Sequence, residues 1–201
     1  MKFNILIAIT SVLMPAASSA LLIDGITHTG MRFYGRIMES NDTSLGIREV
    51  QKMASHMIGI HYSDIQEISL KHDAIDLSLL KELETHTELL PLLNPATLNS
   101  IMSGIYKLAE QKDWAGFYQW TVLLIAAGPP WEINLRLRLW KAWAYHEMKL
   151  FPEAHKQLEE IVQEWDPLEA PALLCWLMAK LEMHRKNSSK ALYWALLPSM
   201  Q

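Results

Sequence analysis

KAWAYHEMKLFPEAHKQL, residues 141–158, is the stretch that decides the fold. Ala142 and Tyr145 lie three residues apart on one face of a first predicted helix. Phe151 precedes a second predicted helix that carries Ala154. Short side chains matter here, because two antiparallel helices approach closely only where side chains are small. The stretch therefore predicts a tight helical hairpin.

Two related patterns flank this hairpin, SGIYKLAEQKDWAGFYQW at 103–120 and MAKLEMHRKNSSKALYWA at 178–195. Aligned on Phe117, Ala154 and Ala191, the three copies lie 37 residues apart (154 − 117 and 191 − 154). A repeat of this length is typical of a solenoid, in which each unit buries its apolar face only against its neighbours. The pattern predicts about three stacked hairpins over residues 95–201, and an ordinary helical bundle is the alternative.

The middle copy resembles a tetratricopeptide repeat. Lys149 stands where that family has a turn glycine, and the interval exceeds the family's usual 34 residues. The resemblance implies a solenoid that holds a protein or peptide partner without catalysis. The matching positions are the small Ala142 and Ala154, the aromatic Tyr145 and Phe151, the apolar Leu158, and Pro167 near the closing proline.

Helix boundaries follow from caps and prolines. Asn94-Pro95 and Asp113 are expected to begin two helices, and Trp165-Asp166-Pro167 is expected to break the chain. A leucine-rich helix at about 75–90 would connect the two halves within a connecting segment at 71–94. The predicted helices of the repeat region are 95–111, 114–127, 131–148, 152–164, 168–185 and 189–197.

The amino terminus, residues 1–20, has the pattern of a secretory signal peptide. Lys2 precedes an apolar run that ends at Pro15, and Ser18-Ser19-Ala20 places small residues at the cleavage position. We therefore expect an exported protein, periplasmic or extracellular, that meets a membrane only through this transient segment. A bacterial envelope is the preferred location.

Residues 21–70 change to the alternating pattern of short strands. Met31, Phe33 and Ile37 share one face at a period of two, and Asp24-Gly25 and Asn41-Asp42 are turn signals. Four or five strands in this length predict a small β-barrel-like module, similar to SH3-like and Sm-like barrels. The whole chain is thus expected to be α+β.

Several function classes lack their usual sequence signals. The chain has 201 residues, a net charge of −4 and no basic run, so we expect no nucleic-acid partner. Cys175 is the one cysteine, and its apolar surroundings favour a buried position. Eight histidines form no His-x₃-His or HExxH pattern, and we predict no catalytic residue, metal site or cofactor.

The leading hypothesis is a non-catalytic envelope adaptor that binds a protein or peptide through its helical repeats. One alternative is a ligand-binding protein or hydrolase, with His61, Asp64 and His72 converging in a pocket between the two halves. Another is a structural domain that associates with itself through its tryptophan-rich face. The candidate partner-binding residues are Trp131, Arg136, Arg138, Trp140, Trp143 and Tyr145.

Overall fold

The computed structural model describes residues 21–50, 57–71, 77–164 and 170–199. Within them the protein is α+β, with a five-stranded antiparallel sheet followed by seven α-helices. The chain divides into two compact units, Met1–Lys71 and His72–Gln201. The predicted signal peptide, the predicted break at residues 165–167 and the candidate His72 all lie outside the described residues.

The sheet is a meander whose last strand returns to the first. Its order is β4-β3-β2-β1-β5, and every neighbouring pair is antiparallel. Apolar side chains at alternate positions of β1 and β2, such as Ile23, Phe33 and Ile37, form its buried core. The strands are β1 (Leu22–Thr27), β2 (Arg32–Ser40), β3 (Ser44–Glu49), β4 (Met57–His61) and β5 (Ile65–Leu70).

The predicted barrel is corrected to an open sheet. A closed barrel requires its two edge strands, here β4 and β5, to pair with each other. The described residues show no such ladder. The short 3₁₀ turn Tyr62–Asp64 carries the chain from β4 to the far edge, where β5 pairs with β1 instead. Ile65 and Ile68, which follow this turn, both belong to β5 and are buried.

The predicted turn at Asp24-Gly25 was wrong, because both residues lie inside β1. A Cβ added at Gly25 would lie 2.2 Å from Cζ of Phe33, so this glycine makes room for the phenyl ring in the core. The turn between β1 and β2 comes later and contains Gly30, whose φ of 83° suits glycine. Asn41 forms the next turn as predicted, with Oδ1 accepting from the backbone N–H groups of Thr43 and Ser44.

The helices agree closely with their predicted bounds. Asn94 caps α2 by accepting from the N–H of Thr97 at 2.8 Å, and Asp113 caps α3 by accepting from the N–H of Gly116 at 3.0 Å. The helices are α1 (Leu77–Leu83), α2 (Pro95–Glu110), α3 (Trp114–Ala126), α4 (Trp131–Glu147), α5 (Phe151–Val162), α6 (Ala172–His184) and α7 (Ser188–Leu196).

The connecting helix is shorter than predicted. Instead of one helix over about 75–90, α1 ends at Leu83, and a 3₁₀ segment follows over Glu84–Leu92. His86 interrupts that segment with a non-helical backbone, φ −131° and ψ 49°. Pro91 lies within the same segment, and a proline cannot donate to the preceding turn.

One backbone turn recurs in all three hairpins, α2–α3, α4–α5 and α6–α7. Lys112, Lys149 and Lys186 have φ of 60°, 67° and 62°, and they again lie 37 residues apart (149 − 112 and 186 − 149). In each turn the following residue donates its N–H to a carbonyl of the preceding helix, at 2.9, 2.8 and 2.9 Å. This is the usual left-handed end of a helix. The 37-residue repeat is therefore present in the backbone.

Candidate functional site

Two of the six candidates, Trp140 and Trp143 of α4, belong to an aromatic cluster at the first hairpin. The ring of Phe117 lies 5.3 Å from that of Trp140 and 5.7 Å from that of Trp143, between centroids. Trp114 adds a contact of 5.3 Å to Trp143, and Tyr106 lies about 6 Å from both tryptophans. Trp140 is buried, so its main role is packing.

Tyr145 joins α4 to α3 through a second pair of rings. Its hydroxyl lies 3.1 Å from that of Tyr118, and the ring centroids are 5.1 Å apart. Burial, followed by the hydrogen bond with Tyr118, raises the pKa of Tyr145 to about 12. Tyr145 therefore stays neutral at physiological pH, and its hydroxyl and ring contacts with Tyr118 link consecutive hairpins.

The remaining candidates lie nearer the amino-terminal end of α4. Trp131 is 58% exposed, and Arg136 is exposed as well. Arg138 donates from Nη1 to Oε2 of Glu164 at 2.7 Å, and this contact holds the pKa of the Glu164 carboxyl below its usual value. The structure does not bring the six candidates together into one surface, and their role in partner binding stays a prediction.

A different surface runs across the first helices of the three hairpins. Tyr106 of α2 is 42% exposed and contacts Trp143 of α4 at 6.1 Å between ring centroids. His146 lies one turn further along α4, and its ring is 6.1 Å from that of Trp176 on α6, which is also 42% exposed. Lys180 places Nζ 5.3 Å from the centroid of Trp176. We call these five residues the first-helix strip.

A shallow cleft of about 380 Å³ continues the strip at the carboxyl ends of α4 and α6. Phe151 forms its apolar centre and contacts the rings of His146 and His184 edge-on, at 5.6 and 3.8 Å between centroids. Lys149 and Lys180 supply positive charge beside it. A surface that combines aromatic rings with cations suits a partner segment with apolar and acidic side chains.

The interface between the second and third hairpins contains a buried polar cluster. His155 of α5 and Glu182 of α6 are 4% and 3% exposed, with 3.5 Å between Nε2 and Oε1. Arg185 approaches Nε2 of His155 at 2.6 Å from Nη1. Since arginine carries only donors, Nε2 accepts, and the ring hydrogen on Nδ1 faces Oε1 of Glu159 at 3.2 Å. The cluster therefore places Glu159, Glu182 and Arg185 around one imidazole, and because Nε2 accepts from Arg185 it does not also donate to Oε1 of Glu182.

The described residues contain no group of three or more His, Cys, Asp or Glu side chains arranged to hold a metal ion. His61 and Asp64 of the alternative pocket are both exposed on the sheet unit. Cys175 is buried as predicted, and burial raises the pKa of its thiol. In the part of the chain that the structure describes, no helix is long and apolar enough to cross a membrane.

Sequence reasoning missed most of the first-helix strip. The repeat register itself contains the signal, because Tyr106, Trp143 and Lys180 occupy equivalent positions 37 residues apart. Only Trp143 of these three was a candidate. The six candidates all lie on α4, whereas the strip crosses three helices.

Comparison of the chain with protein-family models, with characterised proteins and with solved structures finds no match.

Proposed function

We propose that the protein is a non-catalytic, exported adaptor that binds an extended segment of a protein partner along the first-helix strip. The binding is non-covalent, with aromatic rings as anchors and the surrounding charges setting the register of the segment. The partner is expected to be another envelope protein, reached after cleavage of the signal peptide.

The observation that carries this proposal is the exposure of large aromatic side chains in a row on the first helices. Tyr106 and Trp176 are each 42% exposed, although tryptophan side chains are highly buried on average. Tryptophan and tyrosine are favoured as binding anchors, because they bury a large area at a small cost in side-chain entropy. Lys180 beside Trp176 and Lys149 in the adjoining cleft favour an acidic segment.

The architecture supports the same function. We propose that the helical unit is a tetratricopeptide-like solenoid, because its three hairpins repeat the same turn and consecutive hairpins contact each other. For the sheet unit we propose a relationship to SH3-like barrels. Its strand order is β4-β3-β2-β1-β5, and pairing of the two edge strands, β4 and β5, would close it into a five-stranded barrel.

Partner capture from an envelope extract of the native host tests the proposal. The baits are residues 21–201 with the native sequence, with Trp176→Ala and with Trp131→Ala. Trp131 is the matched control, because it is also an exposed tryptophan on a first helix but lies outside the strip. We expect one stoichiometric partner that the native and W131A baits retain and the W176A bait loses. Loss with W131A alone would move recognition to the amino-terminal end of α4. Absence of any partner would contradict the adaptor function.

Export is tested separately by sequencing the amino terminus of the protein isolated from its host. If the signal peptide is cleaved after Ala20, as predicted, the mature chain begins at Leu21. A chain that still begins at Met1 would refute cleavage after Ala20.

A further inference from the structure

The 37-residue repeat relates the aromatic cluster of the first hairpin to the cleft beside Phe151. Four members of that cluster have equivalents 37 residues further along the chain (151 − 114 and 180 − 143), where most of the aromatic character is lost. Trp114, Phe117, Trp140 and Trp143 correspond in order to Phe151, Ala154, Leu177 and Lys180.

The cleft lies where the preceding repeat has a contact between two tryptophans. Trp143 of α4 covers Trp114 at the start of α3, with 5.3 Å between the ring centroids. At the equivalent positions Lys180 stands in place of Trp143, and Phe151 stands in place of Trp114. Both of these residues line the cleft of about 380 Å³. The cleft therefore corresponds to a place that an aromatic ring fills one repeat earlier.

The surroundings of Phe151 leave it able to receive a further ring. It is half-buried, and its contacts with His146 and His184 are edge-on, at interplanar angles of 70° and 82°. Lys180 does not cover it as a tryptophan would, since Nζ of Lys180 lies 5.3 Å from the ring centroid of Trp176. Pairs of aromatic rings are stabilised beyond the area that they bury, so a ring from a partner would gain by packing on Phe151.

The charge around the cleft indicates what accompanies that ring. Two of the lining side chains are lysines, two are histidines and none is a carboxylate. Glu147 contacts Nδ1 of His146 at 3.1 Å but does not line the cleft. Carboxylates next to the ring would therefore meet positive charge. The lining residues are His146, Lys149, Phe151, Lys180, Met183 and His184.

We propose that the cleft binds an aromatic side chain of the partner segment, flanked by acidic residues that pair with Lys149 and Lys180. The ring takes the place that Trp143 has in the preceding repeat, and the exposed Met183 contributes apolar surface beside it. This inference specifies the segment that the proposed adaptor binds, and it rests on that function.

A peptide titration of residues 21–201 tests the cleft directly. The probe is the capped peptide Asp-Asp-Trp-Asp-Asp, and NMR follows the methyl group of Met183 and the imidazole of His184. We expect both signals to shift at millimolar peptide. Replacing the tryptophan of the peptide with alanine should weaken binding about tenfold, because burial of the ring is lost.

A second peptide, in which lysines replace the aspartates, tests the charge. It should also bind about tenfold more weakly, because like charges then meet at the cleft. The proposal would be overturned if the aspartate peptide left both signals unchanged. It would also be overturned if either replacement peptide bound as tightly as the aspartate peptide. This comparison uses the native chain throughout, so no outcome depends on the folding of a variant.

Lys180→Trp tests whether the ring is what the cleft takes. This change restores within the chain the pair that Trp114 and Trp143 form, so the cleft should be filled from inside. Lys180→Ala is the matched control, because it removes the same charge and leaves the cleft open. We expect the K180W chain to bind the tryptophan peptide about tenfold more weakly than the K180A chain. Equal binding by the two chains would contradict the proposal.

The same two variants, used as baits in the partner capture, separate this inference from the adaptor function. Loss of the partner with K180W but not with K180A supports the inference. A partner that the W176A bait loses and the K180W bait retains would overturn the inference and leave the adaptor function standing. Peptide binding without any captured partner would support the chemistry of the cleft and contradict the adaptor function.

Discussion

The left-handed lysines of the three turns lead to a prediction about stability. Lys112 has a φ of 60° at the end of α2, a conformation in which Cβ crowds the following carbonyl oxygen. Lys112→Gly removes that Cβ while keeping the backbone hydrogen bonds of the turn, Lys112 N to Ala109 O and Asp113 N to Leu108 O, at 3.0 and 2.9 Å. The glycine should therefore stabilise the helical unit.

The expected magnitude is a difference between two terms. Relief of the left-handed conformation contributes about 1–2 kcal/mol. The greater freedom of glycine in the unfolded chain removes about 0.4–1 kcal/mol of that gain. The difference between the two terms is an increase in the free energy of unfolding with a central value of about 0.8 kcal/mol, within a range of about 0–1.6 kcal/mol. For the central value of about 0.8 kcal/mol, a urea dependence of about 1–3 kcal/mol per molar gives a rise in the midpoint of roughly 0.3–0.8 M.

Urea unfolding followed by tryptophan fluorescence measures the stability of the helical unit, which contains Lys112. All eight tryptophans lie in the helical unit, so the signal does not report on the sheet. Lys112→Ala is the first control, and it should change stability little because alanine keeps the Cβ. Lys156→Gly is the second, an exposed position inside α5, where glycine should destabilise by about 1 kcal/mol. A K112A variant as stable as K112G, or a K112G variant no more stable than the native chain, would refute the reasoning.

Three further predictions concern the packing and ionisation of the helical unit. Ala154→Leu should lower the free energy of unfolding by about 1–3 kcal/mol, because Ala154 is fully buried and a larger side chain does not fit there. Ala115→Leu, at an exposed position of α3, is the control and should change the stability little in the same urea unfolding experiment. Arg138 lowers the pKa of Glu164, so this pair stabilises the protein above the carboxyl's unfolded pKa and stops doing so as the pH falls through the folded one. Glu164→Gln should therefore cost at most about 0.5 kcal/mol at neutral pH, since the Glu164 side chain is 42% exposed, and nothing in strong acid. Equal costs at both pH values would contradict this. Cys175 is fully buried, so a thiol reagent should label it only as fast as the helical unit opens, and burial also raises the pKa of the thiol. Fast labelling without denaturant would show that the site is accessible.

The helices were predictable because capping residues close in the sequence determine where they begin. Asn94-Pro95 and Asp113 begin α2 and α3 through caps that involve only neighbouring residues. Gly25 shows where local patterns fail. Asp-Gly is a turn signal by its own preferences, but Phe33 of the next strand needs the space above that glycine, and only the fold reveals this.

The candidate site was less predictable for a related reason. Trp140 and Trp143 lie on a helix that has neighbours on several sides, and periodicity along one helix does not show which face those neighbours cover. The exposed row of Tyr106 and Trp176 becomes visible only when equivalent positions on different helices are compared. Lys112 and its two equivalents were a missed signal of the same kind. A single lysine at a turn position resembles a departure from the family pattern, but three at the same interval mark the repeat.

The contacts between hairpins explain why the repeat is clear in the backbone and faint in the sequence. At equivalent positions the second helices carry Tyr118, His155 and Leu192, which share little chemistry. Across each interface, however, the side chains match, since Tyr118 meets Tyr145 and the polar His155 meets Glu182. Each hairpin is thus matched to its neighbour rather than to its own copies. The turn conformation therefore recurs at a fixed interval, whereas the side chains between hairpins differ because each one contacts a different neighbour.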